Sequence, residues 1–140
     1  MEPAAGYEAI EHTADLAIRV WAPDLRGLIE QAARGMLDLM LDDPPAASGY
    51  SEVVASGADA EEIVVDSLRE VLALLNIEGR IPVSIDAVQV DGDRARLRVG
   101  VVGLDAGRHS LMQEIKAVTY HGLEVVETEQ GLTVTVVFDV

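Results

Sequence analysis

Residues 110–125 read SLMQEIKAVTYHGLEV, and eight consecutive positions of this stretch hold Glu114, Lys116, Thr119, Tyr120 and His121. Acid, base, hydroxyl and imidazole at this density point to chemistry more than to packing, although the apolar Ile115, Ala117 and Val118 run between them. Lys116 is the one lysine of the chain, the other nine basic side chains being arginines. A site that keeps the single ammonium asks for a compact, strongly hydrated cation and not a planar fork.

A second group lies near the start, His12-Thr13-Ala14-Asp15, and a third at the far end, where Asp139 adjoins Val140. His12 with Asp15 invites comparison with a catalytic pair. No G-x-S-x-G elbow accompanies it and there is no cysteine nucleophile, while Ser110 reads as a helix cap. Nor is there a Walker loop or a G-x-G-x-x-G signature to hold a nucleotide. A histidine beside a strand is more often a hydrogen-bonded structural residue, and the sequence favours that reading here. Zinc is poorly served by three histidines without an H-x-x-x-H pair. Hard oxygen donors are better provided: Asp15, Asp139 and the terminal carboxylate of Val140, if they meet, suit Ca²⁺, Mg²⁺ or Mn²⁺. The plainer alternative, a hydrated chain end, is the one that the residues alone favour.

The elements that must position these groups follow from periodicity. Residues 7–11 and 16–22 read as strands, the second alternating Leu16, Ile18 and Val20 against Ala17, Arg19 and Trp21. Asp24 caps a helix whose inner face carries Leu25, Leu28, Ile29, Ala32, Ala33, Met36, Leu37 and Met40. Asp42-Asp43-Pro44-Pro45 ends it. After a strand at 51–56, Asp59 and Glu62 resemble a capping box opening a second helix over 60–76, with Asp66, Arg69 and Glu70 facing water. From Ile81 the period becomes two, and Asp91-Gly92 marks a hairpin. Arg94, Arg96 and Arg98 alternate with apolar residues, which reads as the solvated side of an antiparallel sheet in preference to a docking stripe. Ser110 and Gln113 form a capping-box pattern, and Leu111, Ile115 and Val118 keep helical spacing, so a short helix over 111–121 is expected, with Gly122 as its cap. The competing reading is a strand, since Val118, Thr119 and Tyr120 are strand formers. The helix would put Glu114 with His121; the strand would put Glu114 with Lys116. Strands over 123–128 and 132–139 close the chain, the last with Leu132, Val134, Val136 and Phe138 inward. The expected fold is α+β: a mainly antiparallel sheet with two principal helices on it, and a short third helix or turn near 111–121.

The totals set limits. The 140 residues fit one domain, 1–140, and the hydrophobic fraction of 49% excludes a disordered chain. Absence of cysteine excludes disulfides and thiolate metal sites. No apolar run is long enough to span a membrane and the first residues lack a basic, apolar leader, so a cytoplasmic location is expected. A formal charge of −15 argues against direct grip on nucleic acid, whose binders neutralise phosphates with clustered cations. Acidity that merely keeps an apolar-rich chain soluble is the plainer account.

The H-T-A-D motif at 12–15, E-I-K-A-V-T-Y-H-G-L-E-V at 114–125 and V-F-D-V at 137–140 together resemble the archease family, over residues 7–140. The helix segment Asp66-Ser67-Leu68-Arg69-Glu70 ahead of a Glu-Gly turn is similar as well. The resemblance implies a small acidic α+β protein that helps an RtcB-type RNA ligase, promoting guanylylation and multiple turnover of an enzyme that uses GTP and Mn²⁺ to join cyclic-phosphate or 3′-phosphate RNA ends to a 5′-hydroxyl. It implies a metal held by Asp15, Asp139 and Val140, Ca²⁺ first with Mn²⁺ or Mg²⁺ as alternatives. It also implies a ligase-activating tip of His12, Asp15, Glu114, Lys116 and His121. Such a helper is no enzyme, meets RNA only through the ligase, and would serve tRNA splicing or RNA repair. The competing class is a small metal-dependent hydrolase using Asp15, Asp139, His12 and His121, for which no nucleophile or nucleotide loop is present.

Overall fold

The computed structural model of the chain describes residues 4–10, 15–120 and 122–140. Among the described residues eight strands and two long helices build an α+β fold in which every strand pairing is antiparallel. The strands are β1 (Gly6–Ile10), β2 (Leu16–Ala22), β3 (Gly49–Ser56), β4 (Arg80–Asp91), β5 (Arg94–Gly103), β6 (Ala117–Thr119), β7 (Val126–Thr128) and β8 (Gly131–Asp139). The helices are α1 (Leu25–Met40), α2 (Ala60–Asn76) and the four-residue α3 (Leu104–Gly107), which runs into a 3-10 turn over Arg108–Ser110. Where the sequence predicts one sheet, the strands divide into two. One has the order β1-β2-β8-β6 with β7 also on β8; the other has the order β3-β5-β4.

Period-two strands and wide-stripe helices share one buried cluster. From the first sheet come Ile18, Val20, Val134, Val136 and Phe138, and from the second Val53, Ile85, Val88, Leu97 and Val99. The helix α1 packs on β1, β2 and β8 and on β4, while α2 packs on β3, β4 and β5 and reaches β6. The buried face of α1 holds the predicted Leu28, Ile29, Ala32, Ala33, Met36, Leu37 and Met40. Gly35 completes it, because a Cβ there would stand 2.8 Å from Ile18 Cδ1 and 3.0 Å from the Tyr7 ring. Both helices start as expected: Asp24 Oδ1 accepts the Gly27 N–H at 2.8 Å, and Asp59 Oδ1 accepts the Glu62 N–H at 2.8 Å. The Glu62 carboxylate turns to the Ala58 N–H at 2.7 Å, one residue ahead of the reciprocal partner in a capping box. Losing the cap of α1 should cost about 1 kcal/mol. Asp24→Ala is therefore expected to lower the unfolding midpoint in urea without changing the slope, and an unchanged midpoint would show the cap to be idle.

The hairpin between β4 and β5 turns on Gly92 and Asp93, with Gly92 at φ +61 and Asp91 paired to Arg94. A glycine at positive φ in the first central position matches a turn twisted like its strands. Arg94, Arg96 and Arg98 line the solvated face, as expected. Arg96 meets Glu52 at 3.0 Å, and the Arg98 guanidinium lies 4.2 Å from the Tyr50 ring centre.

The β1–α1 junction carries a titrating contact. The Tyr7 hydroxyl donates to Asp38 Oδ2. Burial first, then the hydrogen bond and charge of Asp38, push the Tyr7 hydroxyl up to about 12, against a smaller lowering by Arg34. Because the folded value lies above the unfolded one of about 10, the contribution is whole below pH ~10 and is lost as the pH rises toward ~12. Stability measured between pH 8 and pH 11.5 should fall over the upper part of that window, and less steeply in Tyr7→Phe. Parallel curves for the two proteins would remove Tyr7 from the account.

Candidate functional site at the β2–β8–β6 end

The last strand brings the dispersed motifs together. Its register with β2 runs from Ala22↔Leu132 to Leu16↔Phe138, which leaves Asp15 and Asp139 each one residue beyond the last pair. On the other flank of β8, Ala117 pairs with Asp139 and the Lys116 N–H donates to the Asp139 carbonyl at 2.8 Å. The beginnings of β2 and β6 and the end of β8 thus lie side by side, carrying Asp15, Lys116, Asp139 and Val140. Asp15 is half-buried; Lys116, Asp139 and Val140 are exposed.

Residues 111–116 are not helical. The short helix and turn lie just upstream, over 104–110, and residues 111–116 run extended into β6. Glu114 and Lys116 are exposed on either side of Ile115, which is 1% exposed, so the strand-like alternation is the one adopted. Ser110 is no cap: it is fully buried and its hydroxyl donates to the Asp43 carbonyl at 3.2 Å. Tertiary bonds explain the difference. The Met112 N–H donates to the Met40 carbonyl at 2.8 Å and Leu111 bridges Leu41, so this backbone completes the end of α1 in place of its own helix. The predicted Gly122 cap has its positive φ, +67, without a helix to close.

The same bonds add two residues that the sequence reading took only as a helix end. The Asp42 N–H donates to the Ser110 carbonyl at 2.8 Å, and Asp43 sits at φ +47, so both exposed aspartates border the segment leading to Glu114. The signal was present: α1 has no basic residue in its last turn, and acids just beyond a helix C-terminus oppose its dipole. His12 and His121 lie outside the described residues.

This end suits a hard cation in its donor chemistry. Asp15 and Asp139 are oxygen donors of the kind that hard cations take. Among the described residues no three His, Asp or Glu side chains come close enough to hold a metal by themselves. Asp15 and Asp139 would need a further donor.

The profile of the archease protein family (MTH1598/TM1083) matches residues 7–140. The chain belongs to the archease family. Protein archease of Methanopyrus kandleri is 35% identical over 129 residues, covering 89% of this chain and 91% of that protein. Protein archease of Pyrococcus abyssi is 28% identical over 130 residues, with the same coverage. Two solved structures share the archease fold. The solution structure of Methanobacterium thermoautotrophicum protein 1598 has a TM-score of 0.73 at 24% identity, covering 96% of this chain and 99% of its own. The crystal structure of a Thermotoga maritima archease, described as a possible chaperone, has a TM-score of 0.69 at 23% identity, covering 95% and 96%. Among the described residues no helix is long and apolar enough to cross a membrane.

Proposed function

We propose that this archease is a non-enzymatic activator of an RtcB-type RNA ligase and works through the end of the sheet where Asp15, Asp139 and Lys116 meet. What supports the reading is the register of β8, whose last pair with β2, Leu16↔Phe138, adjoins Asp15 and Asp139, together with the Lys116 N–H donating to the Asp139 carbonyl. Residues far apart in sequence, and singled out for their chemistry, are thereby neighbours.

In this reading Asp15, Asp139 and the Val140 main-chain carboxylate hold a divalent cation, Ca²⁺ or else Mn²⁺ or Mg²⁺. Such a cation would supply Lewis-acid character and fixed positive charge at the tip. The chain's own groups do the rest. Lys116 and His121 orient phosphate oxygens by charge-assisted hydrogen bonds, and Glu114 and His12 complete the polar surface that meets the ligase. A protein of charge −15 gains nothing by gripping RNA, but it is drawn to an enzyme whose RNA channel is positive. The contact breaks at each turnover, so it is weak and sensitive to salt.

The test adds the purified protein to an RtcB-type ligase with cyclic-phosphate RNA, and follows ligase guanylylation and product per enzyme. More than one product per ligase, only when this protein is present, is expected. RNA altered by this protein alone would instead favour an independent hydrolase, and no effect on the ligase would reject activation.

A further inference from the structure

The strand that carries Lys116 into place is short. With three residues, β6 ends the strand order β1-β2-β8-β6, so its outer carbonyls face away from its one strand neighbour. Edge strands of this kind need cover or a partner. The helix α2 provides one through two side chains: Arg69 Nη2 donates to the Val118 carbonyl at 3.1 Å, and Asn76 Nδ2 donates to the Ile115 carbonyl at a longer 3.4 Å. The spacing is physically matched. Two helical turns, the separation of Arg69 and Asn76, advance ~10 Å, and three extended residues, the separation of Ile115 and Val118, also advance ~10 Å. Between the two anchors lie Lys116 and Ala117, with the Lys116 N–H tied to Asp139 from the other side. The Arg69 guanidinium also lies 4.8 Å from the ring centre of Tyr120, the residue before His121.

We propose that Arg69, with Asn76 as its second anchor, is a positioning residue that holds residues 115–120 in register beside Asp139 and so presents Lys116 at the tip. The sequence reading left Arg69 on the watery side of α2, and it is indeed exposed, as is Asn76. Both side chains are exposed while their bonds are part-buried, and one such bond contributes about 1 kcal/mol net, a small share of the whole, so the positioning role separates from folding. Its consequence for ligase activation rests on the function proposed above; its effect on the strand does not.

The experiment uses the full chain with Arg69→Ala, Arg69→Lys and Asn76→Ala. Amide hydrogen exchange at Ala117, Val118 and Thr119 should quicken about tenfold in Arg69→Ala, the factor that one net hydrogen bond supplies. Asn76→Ala should act less, given its longer bond. Arg69→Lys keeps a donor and a cation, so it should recover part of the protection. Thermal midpoints should stay within a few degrees of the parent. With ligase present, Arg69→Ala should lower the maximal stimulation reached at saturating protein, and Arg69→Lys should restore part of it. Unchanged exchange at these three amides would overturn the bracket whatever the ligase does. Faster exchange with full stimulation would overturn its functional part. A parent protein that fails to stimulate the ligase would reject the activator reading, while the exchange data still judge the bracket.

Discussion

Asp15→Ala and Lys116→Ala are each expected to remove most of the stimulation of ligase turnover while the fold stays intact. Asp15 immediately precedes β2 at the end where β8 carries Asp139, and Lys116 is exposed beside Asp139. A charge-assisted hydrogen bond contributes about 1.5–3 kcal/mol, so the loss of one such contact should reduce stimulation by about 10- to 100-fold. Exposed and half-exposed side chains away from the core change stability by about 0.5 kcal/mol or less. Arg98→Ala serves as the comparison, since Arg98 lies on the other sheet against Tyr50. The assay follows guanylylation and multiple-turnover joining of a cyclic-phosphate RNA over a range of protein concentrations. Parent-like stimulation by both tip variants would show that the active surface lies elsewhere.

Divalent-cation binding should weaken when the carboxylate at Val140 is converted to a peptide bond by added residues. On the proposed reading the extension deletes one of the three negative ligands and carries the backbone past the site. One unit charge at about 4 Å contributes on the order of 1 kcal/mol in water and 4 kcal/mol near a protein surface. Affinity for Ca²⁺ or Mn²⁺ is therefore expected to fall at least tenfold, and Asp139→Asn should act in the same direction. Titration calorimetry of the unextended and extended chains against Ca²⁺ and against Mn²⁺ measures this. Equal affinities before and after extension would exclude Val140 as a ligand. Because the readout is binding alone, the result stands apart from ligase stimulation.

The two long helices were legible because their signals are local. Asp24 and Asp59 cap them as read, and the apolar stripe of α1 is buried as read. The strands β2, β5 and β8 were legible by their alternation, down to the inward Val134, Val136 and Phe138. The segment 111–116 was not, because its helical spacing and its strand formers compete at similar strength, and neither controls the outcome. The end of α1 takes the Met112 N–H and β8 takes the Lys116 N–H, which leaves no backbone free for a helix. The division into two sheets was likewise hidden, since period-two patterning gives a strand's buried face and not its neighbours.

By itself the sequence determined the two long helices with their caps, the long strands, their buried faces and the acidic charge, all of which follow from short-range periodicity, capping and composition. Only the tertiary structure decided which residues meet. Asp15 and Asp139 are 124 positions apart, and no local signal joins them; the antiparallel register of β2 on β8 brings the strand ends beside them together. Lys116 joins them because an edge strand must pair its backbone, with β8 on one side and with the side chains of α2 on the other. Long-range hydrogen bonding sets such neighbours, and it depends on how the buried faces pack together.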